Sequence, residues 1–341
     1  MLFDMMTASN QPNSGSNSPT GCDLGGGGWD RLTIVGVGLL GASLGLAAKA
    51  RGLLRPGGVV RGVGRGGSTA LATAQSRGAI DETFTDLAAA VRRGPQEQNQ
   101  HDLIILCTPV RQFPELLRIL AQAAPTGALI TDVGSTKVQI MQWARDILGS
   151  GQTAHGRTFI GSHPMAGSEK HGPAAARADL YENALCLLTP PLDSTPTTDP
   201  AVARLTVFWQ ALGMRTLSLD AATHDQWVAL VSHLPHAVAG CLMTAAGQRA
   251  EVLVAAAGGF VDSTRIAAGD PQMWTDIFLT NQAAVLAALD TFSGELAEFR
   301  RAIAQGDEKA IRAHLEQAQK ERLAFGEKMK PPRRHDAKGH G

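Results

Sequence analysis

Net charge is missing from this sequence: 31 Lys and Arg balance 31 Asp and Glu over 341 residues. Such a surface has no long-range field to draw in nucleic acid or an anionic membrane. Aromatic residues are 5% of the chain, too few for base-stacking platforms. Cysteine is sparse as well. Cys22, Cys107, Cys186 and Cys241 stand far apart with no CxxC pair, which argues against a thiolate metal site or redox dithiol and suits a reducing cytoplasm. Cys107 and Cys186 lie in apolar runs and read as small buried hydrophobes. No stretch approaches the roughly 20 apolar residues that span a bilayer. Residues 1–29 are rich in Ser, Asn, Pro and Gly, with no basic segment leading into an apolar one. They read as a disordered leader rather than a signal peptide. The last absence is local: from Arg31 to Ile80 there is no acidic residue.

What is present divides the chain. Between residues 30 and 189, short apolar runs alternate with Ala/Leu-rich helical stretches. The runs are Leu32–Val35, Val59–Val63, Leu103–Cys107, Ala128–Thr131, Thr158–Ile160 and Ala184–Leu188. Several are apolar throughout, as strands covered on both faces are. The alternation predicts an α/β domain with a parallel sheet and right-handed crossovers. Residues 190–200, with Pro190, Pro191, Pro196 and Pro200, read as a linker. From 201 to 330 the spacing is helical throughout, over Ala201–Leu212, Ala221–Gly247, Pro271–Leu289, Gly294–Gln305 and Glu308–Lys328. Pro235 predicts a kink or break in the second of these. Ala221–Gly247 and Pro271–Leu289 are apolar over much of their circumference, which predicts burial or a subunit interface. Residues 331–341 read as a disordered basic tail.

The first strand runs into Gly36-Val-Gly38-Leu39-Leu40-Gly41 and then into a helix. A GxGxxG motif is weak alone, but strand before and helix after is the context a dinucleotide needs. Gly36 permits the tight turn, Gly38 lets a pyrophosphate approach the backbone, and Gly41 lets helix pack on strand. Leu39, Leu40, Thr108 and Pro109, at the strand ends, complete the expected cofactor site. An NAD site usually carries an acid after the second strand. Here that position is Gly64, followed by Arg65, with Ser68 and Thr69 close by. A guanidinium there fits a 2′-phosphate, so NADP is expected over NAD. An Arg65 that only stacks on adenine, or faces solvent, would leave NAD as the cofactor.

Two further motifs follow later strands, at the edge where open α/β sheets bind ligands. They are Asp132-Val-Gly-Ser135-Thr-Lys137 and Gly161-Ser-His163-Pro-Met-Ala-Gly167-Ser-Glu169. His163, in a Gly/Pro-rich loop, can exchange a proton with a substrate hydroxyl near neutral pH, and Ser135 is a plausible partner for its ring. On residue type alone a loop histidine is more often structural. His233 and His236, three apart on a helix, could ligate a metal, but no third ligand has suitable spacing, so no metal is expected.

These motifs, with Ser232-His-Leu-Pro-His236 and Asp262-Ser-Thr-Arg265-Ile-Ala, resemble the prephenate/arogenate dehydrogenase family of tyrosine biosynthesis, over roughly Arg31 to Phe325. The resemblance implies an α/β Rossmann-type parallel-sheet domain followed by an all-α helical dimerisation domain. It also implies a cytoplasmic homodimer that oxidatively decarboxylates prephenate to 4-hydroxyphenylpyruvate with an NAD(P) cofactor. Arogenate, or both substrates, is the alternative. His163 looks like the family's catalytic histidine, bonded to the ring hydroxyl of the substrate, and Ser135 like the serine beside it. Arg265 matches the arginine that binds a substrate carboxylate. Ser232, His233 and His236 match the pocket-lining helix, Glu169 falls in the loop that closes the site, and Trp274 resembles another pocket residue. Neither a fused chorismate mutase nor a carboxy-terminal regulatory domain is expected. One rival is a β-hydroxyacid dehydrogenase or imine reductase, which would usually place a lysine in the helical domain; Ala221–Gly247 has none. The other is a non-catalytic NADP-sensing regulator, which would have no use for His163, Ser135 and Arg265 together.

Overall fold

A computed structural model describes residues 28–94, 101–149, 156–168, 170–191 and 194–328. Glu169, most of the leader and the basic tail lie outside the described residues. The chain forms two compact units, Met1–Gln282 and Ala283–Gly341.

The first unit opens with β1 (Trp29–Val35), α1 (Leu39–Ala50), β2 (Leu54–Val63), α2 (Thr69–Ser76), β3 (Glu82–Phe84) and α3 (Leu87–Val91). It continues with β4 (Asp102–Leu106), α4 (Phe113–Ala123), β5 (Leu129–Asp132), α5 (Val138–Leu148), β6 (Thr158–Pro164) and β7 (Leu185–Thr189). Then come α6 (Pro200–Ala211) and β8 (Arg215–Ser218). The eight strands among the described residues join one sheet in the order β3-β2-β1-β4-β5-β6-β7-β8. Every neighbouring pair is parallel except β6 with β7. The uninterrupted apolar runs have a simple cause. Leu103 and Ile105 of β4 enter the core on one face, with Trp209 of α6. Ile104 and Leu106 enter the other, with Phe113 and Leu117 of α4. Successive side chains point to opposite faces, so a strand buried on both must be apolar at every position.

The sheet runs on past the expected linker. Asp199 accepts the Ala201 N–H at 2.9 Å and Pro200 opens α6. The end of the proline-rich stretch is therefore a helix start, as an Asp cap followed by proline commonly is. β8 then pairs with β7, so the region after residue 201 is not all-α and the sheet layer ends at Ser218. β3 and β8 were not expected from the sequence. They are the two edge strands, three and four residues long, and edges are kept short.

Beyond the sheet lie α7 (Ala221–Val228), a π-helical turn (Ala229–His233) and α8 (Leu234–Gly247). Together they make one helix, with no break at Pro235; the widened turn just upstream accommodates proline's missing donor. Contrary to the sequence expectation, this helix is long and apolar enough to cross a membrane by length and composition, with an 18-residue stretch of mean hydropathy 1.4. It also buries His224, Asp225, His233 and His236, whereas Leu230, Val231 and Leu242 are exposed. A short helix, α9 (Gly258–Thr264), and a 3-10 turn (Arg265–Ala268) lead to α10 (Pro271–Thr280), which stops at Asn281.

Near residue 282 the second long helix begins, α11 (Gln282–Gln305), followed by α12 (Glu308–Lys328). The expected break between Leu289 and Gly294 is absent. A helix-interior glycine costs only about 1 kcal/mol, and strong helix formers such as Leu289, Glu295 and Leu296 flank it. In the second unit Phe299 and His314 stack, with ring centroids 4.8 Å apart.

Candidate active site

The turn after β1 is shaped by what its residues lack. Gly36 has φ +95°, and a Cβ there would lie 2.7 Å from the Cys107 carbonyl oxygen. A Cβ on Gly41 would lie 2.3 Å from the Gly36 oxygen. At Gly38 nothing approaches within 4 Å, and Gly38 caps α1 without a side-chain bond. The helix therefore presents uncapped backbone N–H groups to open space, which is the arrangement that holds phosphate. A cavity of about 620 Å³ adjoins it, lined among others by Gly36, Gly38, Arg65, Ser68, Thr108 and Pro109. The Thr108 hydroxyl is buried without a partner, so it has a hydrogen bond to offer a ligand. These features fit a dinucleotide. Leu39, Leu40 and Gly41 do not line the cavity; the Leu40 carbonyl accepts the Tyr181 hydroxyl at 2.8 Å. Asp86, not expected from the sequence, does line it, though its carboxylate already accepts the Ala88 N–H at 2.9 Å.

The second part is built from buried polar groups. At the end of β5, Asp132 accepts Lys137 Nζ at 2.7 Å, the Gly134 N–H at 2.7 Å and the Ser162 N–H at 3.1 Å. Lys137 also donates to the carbonyls of Gly134 and Thr136. Burial pushes the Asp132 carboxyl up, while the ammonium and the two amides pull it down. A buried pair like this one costs about 3–5 kcal/mol to break from one side. It holds the loop carrying Ser135 rigid and ties that loop to the residue before His163.

His163 lies inside β6, opposite Leu187 of β7, rather than in the loop after the strand. Its Nδ1 is 3.0 Å from Nε2 of His224, and His224 Nδ1 is 2.8 Å from Oδ1 of Asp225. Ser135, half-buried, makes no hydrogen bond among the described residues, so the expected Ser135–His163 contact is replaced by His224. Asp225 accepts two more donors, the backbone N–H groups of Lys137 at 2.7 Å and Val138 at 2.9 Å. Burial lowers the His163 pKa well below 6.5, helped by the charges of His224, Lys137 and His233. His163 is therefore neutral at pH 7.

His233 sits in the π-helical turn, 1% exposed. Asn281 Nδ2 donates to the Asp225 carbonyl at 2.8 Å and faces His233 Nδ1 at 3.2 Å. An amide nitrogen can only donate, so His233 Nδ1 accepts and its Nε2 carries the hydrogen. That Nε2 is buried without a partner. Burial lowers its pKa to about 4, so it is a fixed neutral donor. This use of Asn281 also explains why α10 ends there, with φ −123°. His236 stacks on Trp274 at 3.5 Å between centroids and 9° between planes. Gly269 makes room for both, since a Cβ there would lie 2.5 Å from Trp274 Nε1. Ser232 is half-buried, and its hydroxyl makes no hydrogen bond among the described residues. Arg265 is exposed on its 3-10 turn and makes no ion pair among the described residues. No group of three His, Cys, Asp or Glu side chains among the described residues could hold a metal ion.

His224, Asp225 and Asn281 escaped the sequence reading. A signal for the first two exists: adjacent His and Asp inside an apolar helix must be paired once buried.

A family model described as "Prephenate dehydrogenase, nucleotide-binding domain" matches residues 50–218, and one described as "Prephenate dehydrogenase, dimerization domain" matches residues 220–317. Cyclohexadienyl dehydrogenase of Zymomonas mobilis is 34% identical over 250 residues, 72% of this chain and 80% of that protein. Prephenate dehydrogenase of Bacillus subtilis is 35% identical over 283 residues, 82% of this chain and 71% of that protein. The crystal structure of prephenate dehydrogenase from Aquifex aeolicus, in complex with hydroxyphenyl propionate and NAD+, is 30% identical, with a TM-score of 0.75. It covers 86% of this chain and 98% of its own.

Proposed function

We propose that this chain, which belongs to the prephenate dehydrogenase family, converts prephenate to 4-hydroxyphenylpyruvate and CO₂ with reduction of NADP. The observation that carries the reading is a neutral, buried His163 at the ligand-binding edge of the sheet, its Nδ1 engaged by His224. The enzyme is an NAD(P)-dependent oxidoreductase. The Zymomonas mobilis relative is named for the broader cyclohexadienyl activity, so arogenate is the second substrate to test.

The chemistry follows from the residues. When bound, a nicotinamide supplies the acceptor for the hydride leaving ring C4. His163 Nε2 takes the proton of the ring hydroxyl as the carbonyl forms. The bond to the ring carboxylate then breaks, CO₂ leaves, and its electron pair aromatises the ring. The phenolate oxygen so formed recovers the proton from His163. Ser135, on the loop held rigid by Asp132 and Lys137, and the His233 Nε2–H are donors suited to the same oxygen. Arg265 supplies a fork for a substrate carboxylate, and Ser232, His236 and Trp274 form the pocket wall.

Arg65 and Ser68 on the cavity wall favour a 2′-phosphate, hence NADP. The reading includes a homodimer: the match to the family's dimerisation domain and the exposed Leu230 and Val231 support an apolar two-fold interface. Cys107, Cys186 and Cys241 are unpaired, in keeping with the cytoplasm. A steady-state assay of the full chain with prephenate and arogenate, each with NAD and NADP, tests the proposal. Turnover of prephenate with NADP is expected to be the fastest; no turnover of either substrate with either cofactor would overturn the reading.

A further inference from the structure

We infer that Asp225 and His224 form a positioning relay that holds His163 in the tautomer able to accept a proton at Nε2, and that the same carboxylate locks this base to the start of α5. The inference rests on the reading of His163 as the base.

Asp225 is surrounded by donors: the N–H groups of Lys137 and Val138 and the ring of His224. An acceptor so placed is an ionised carboxylate, and the hydrogen on its bond to His224 belongs to His224 Nδ1. A neutral imidazole carries one hydrogen, so His224 Nε2 is left with a lone pair. The 3.0 Å contact to His163 Nδ1 then requires His163 to donate from Nδ1. His163 Nε2 is left unprotonated, as a general base must be. When Nε2 takes up a proton, the positive charge is shared along the bond to His224 and stabilised by Asp225, the orienting role a carboxylate plays behind a catalytic histidine.

Asp225 has a second role in the same place. Its two oxygens accept the N–H groups of Lys137, which caps α5, and of Val138, its first residue, just after Ser135. One side chain thus fixes the base and the loop beside it in a single frame. The groups facing the pair are Asp132 from the end of β5, Lys137 from the start of α5, Cys186 from β7 and His233 from the π-helical turn. Lys137 and burial oppose protonation, and Asp225 is the nearest group that favours it.

Two measurements on the full chain test this. In nitrogen-15 NMR of histidine-labelled protein, with His163 assigned by its loss in His163→Asn, wild-type His163 is expected with hydrogen on Nδ1 and none on Nε2. A wild-type ring with hydrogen on Nε2 would overturn the relay whatever the variants do. In Asp225→Leu, similar in size but without an acceptor, nothing holds the hydrogen of His224 on Nδ1, so the Nε2–H form of His163 should appear. Its kcat should fall about 10²-fold with KM within a few-fold, and the acid limb of kcat/KM should move to lower pH. Asp225→Glu should recover part of kcat. A purely structural Asp225 would lower the melting temperature and yield of active protein but leave tautomer and acid limb in place. That outcome would overturn the relay. If His163→Asn itself keeps near-normal kcat, the reading of the base has failed instead, and the wild-type tautomer still reports on the hydrogen-bond chain.

Discussion

A methyl group added to Gly41 would come within 2.3 Å of the Gly36 carbonyl, whereas at the end of β6 the crowding is by side chains already there, His163 and His224 3.0 Å apart. The nucleotide turn works through absent atoms: no Cβ, no capping side chain, open space above Gly38. The catalytic side works through polar groups removed from water and paired with one another. The first kind of site is local in sequence, its glycines falling within six residues. The second joins β5, β6, α7 and Asn281, from residue 132 to residue 281. Burial alone would make each of those polar groups costly; the bonds among them make the site possible and fix its protonation.

This contrast can be broken by substitution. The largest effect is expected at His163, the proposed base. His163→Asn should lower kcat by about 10²-fold or more and leave KM within a few-fold, because the lost interaction grows in the transition state; near-normal kcat would remove it from the mechanism. Next is Arg265→Gln, which removes the charge and the rigid fork. The carboxylate it would hold is present in ground and transition states alike, so KM for prephenate should rise about 10- to 100-fold with cofactor binding unchanged. A flat KM with lost cofactor affinity would assign Arg265 to the nucleotide instead.

The glycines sharpen the comparison. Gly41→Ala must displace backbone and should cost about 1–3 kcal/mol of stability in the apoprotein. Gly38→Ala meets nothing within 4 Å, so its melting should stay within about 0.5 kcal/mol of wild type while cofactor affinity falls by about 10-fold, a loss of roughly 1.4 kcal/mol. Equal melting of the two variants would contradict the packing described for Gly41.

The smallest effect concerns pH. His163, His224 and His233 all have pKa values lowered by burial, so the unfolded chain binds these protons more readily than the folded one. Stability should be full above the ordinary value near 6.5 and decline as pH falls toward about 4, where His233 titrates. Melting curves should drop by about 3 °C or more between pH 7.5 and 5.5. A flat profile would mean that these rings are not buried as neutral groups.

Legibility follows the same division. Strand, GxGxxG and helix are contiguous, so Gly36, Gly38 and Gly41 could be read from spacing. The doubly covered strands could be read because burial on both faces forces apolar runs. β3 and β8 could not, since an edge strand of three or four residues carries no periodicity. Asp199-Pro200 looked like the end of a linker because a helix cap and a turn use the same residue types. His163 stood out by its motif and its likeness to a family, but its partner did not: His224 is 61 residues away, and only the packing of α7 brings it there. Nothing in residue type distinguishes Ser135 from His224 as a neighbour of that ring.

The central claim, that hydride removal is coupled to decarboxylation in this site, is tested most directly by counting products in one sample. With prephenate and NADP, CO₂ and reduced cofactor should appear together in equal amounts from the first turnover. Reduced cofactor formed without CO₂ would mean a simple alcohol dehydrogenation and would contradict the account.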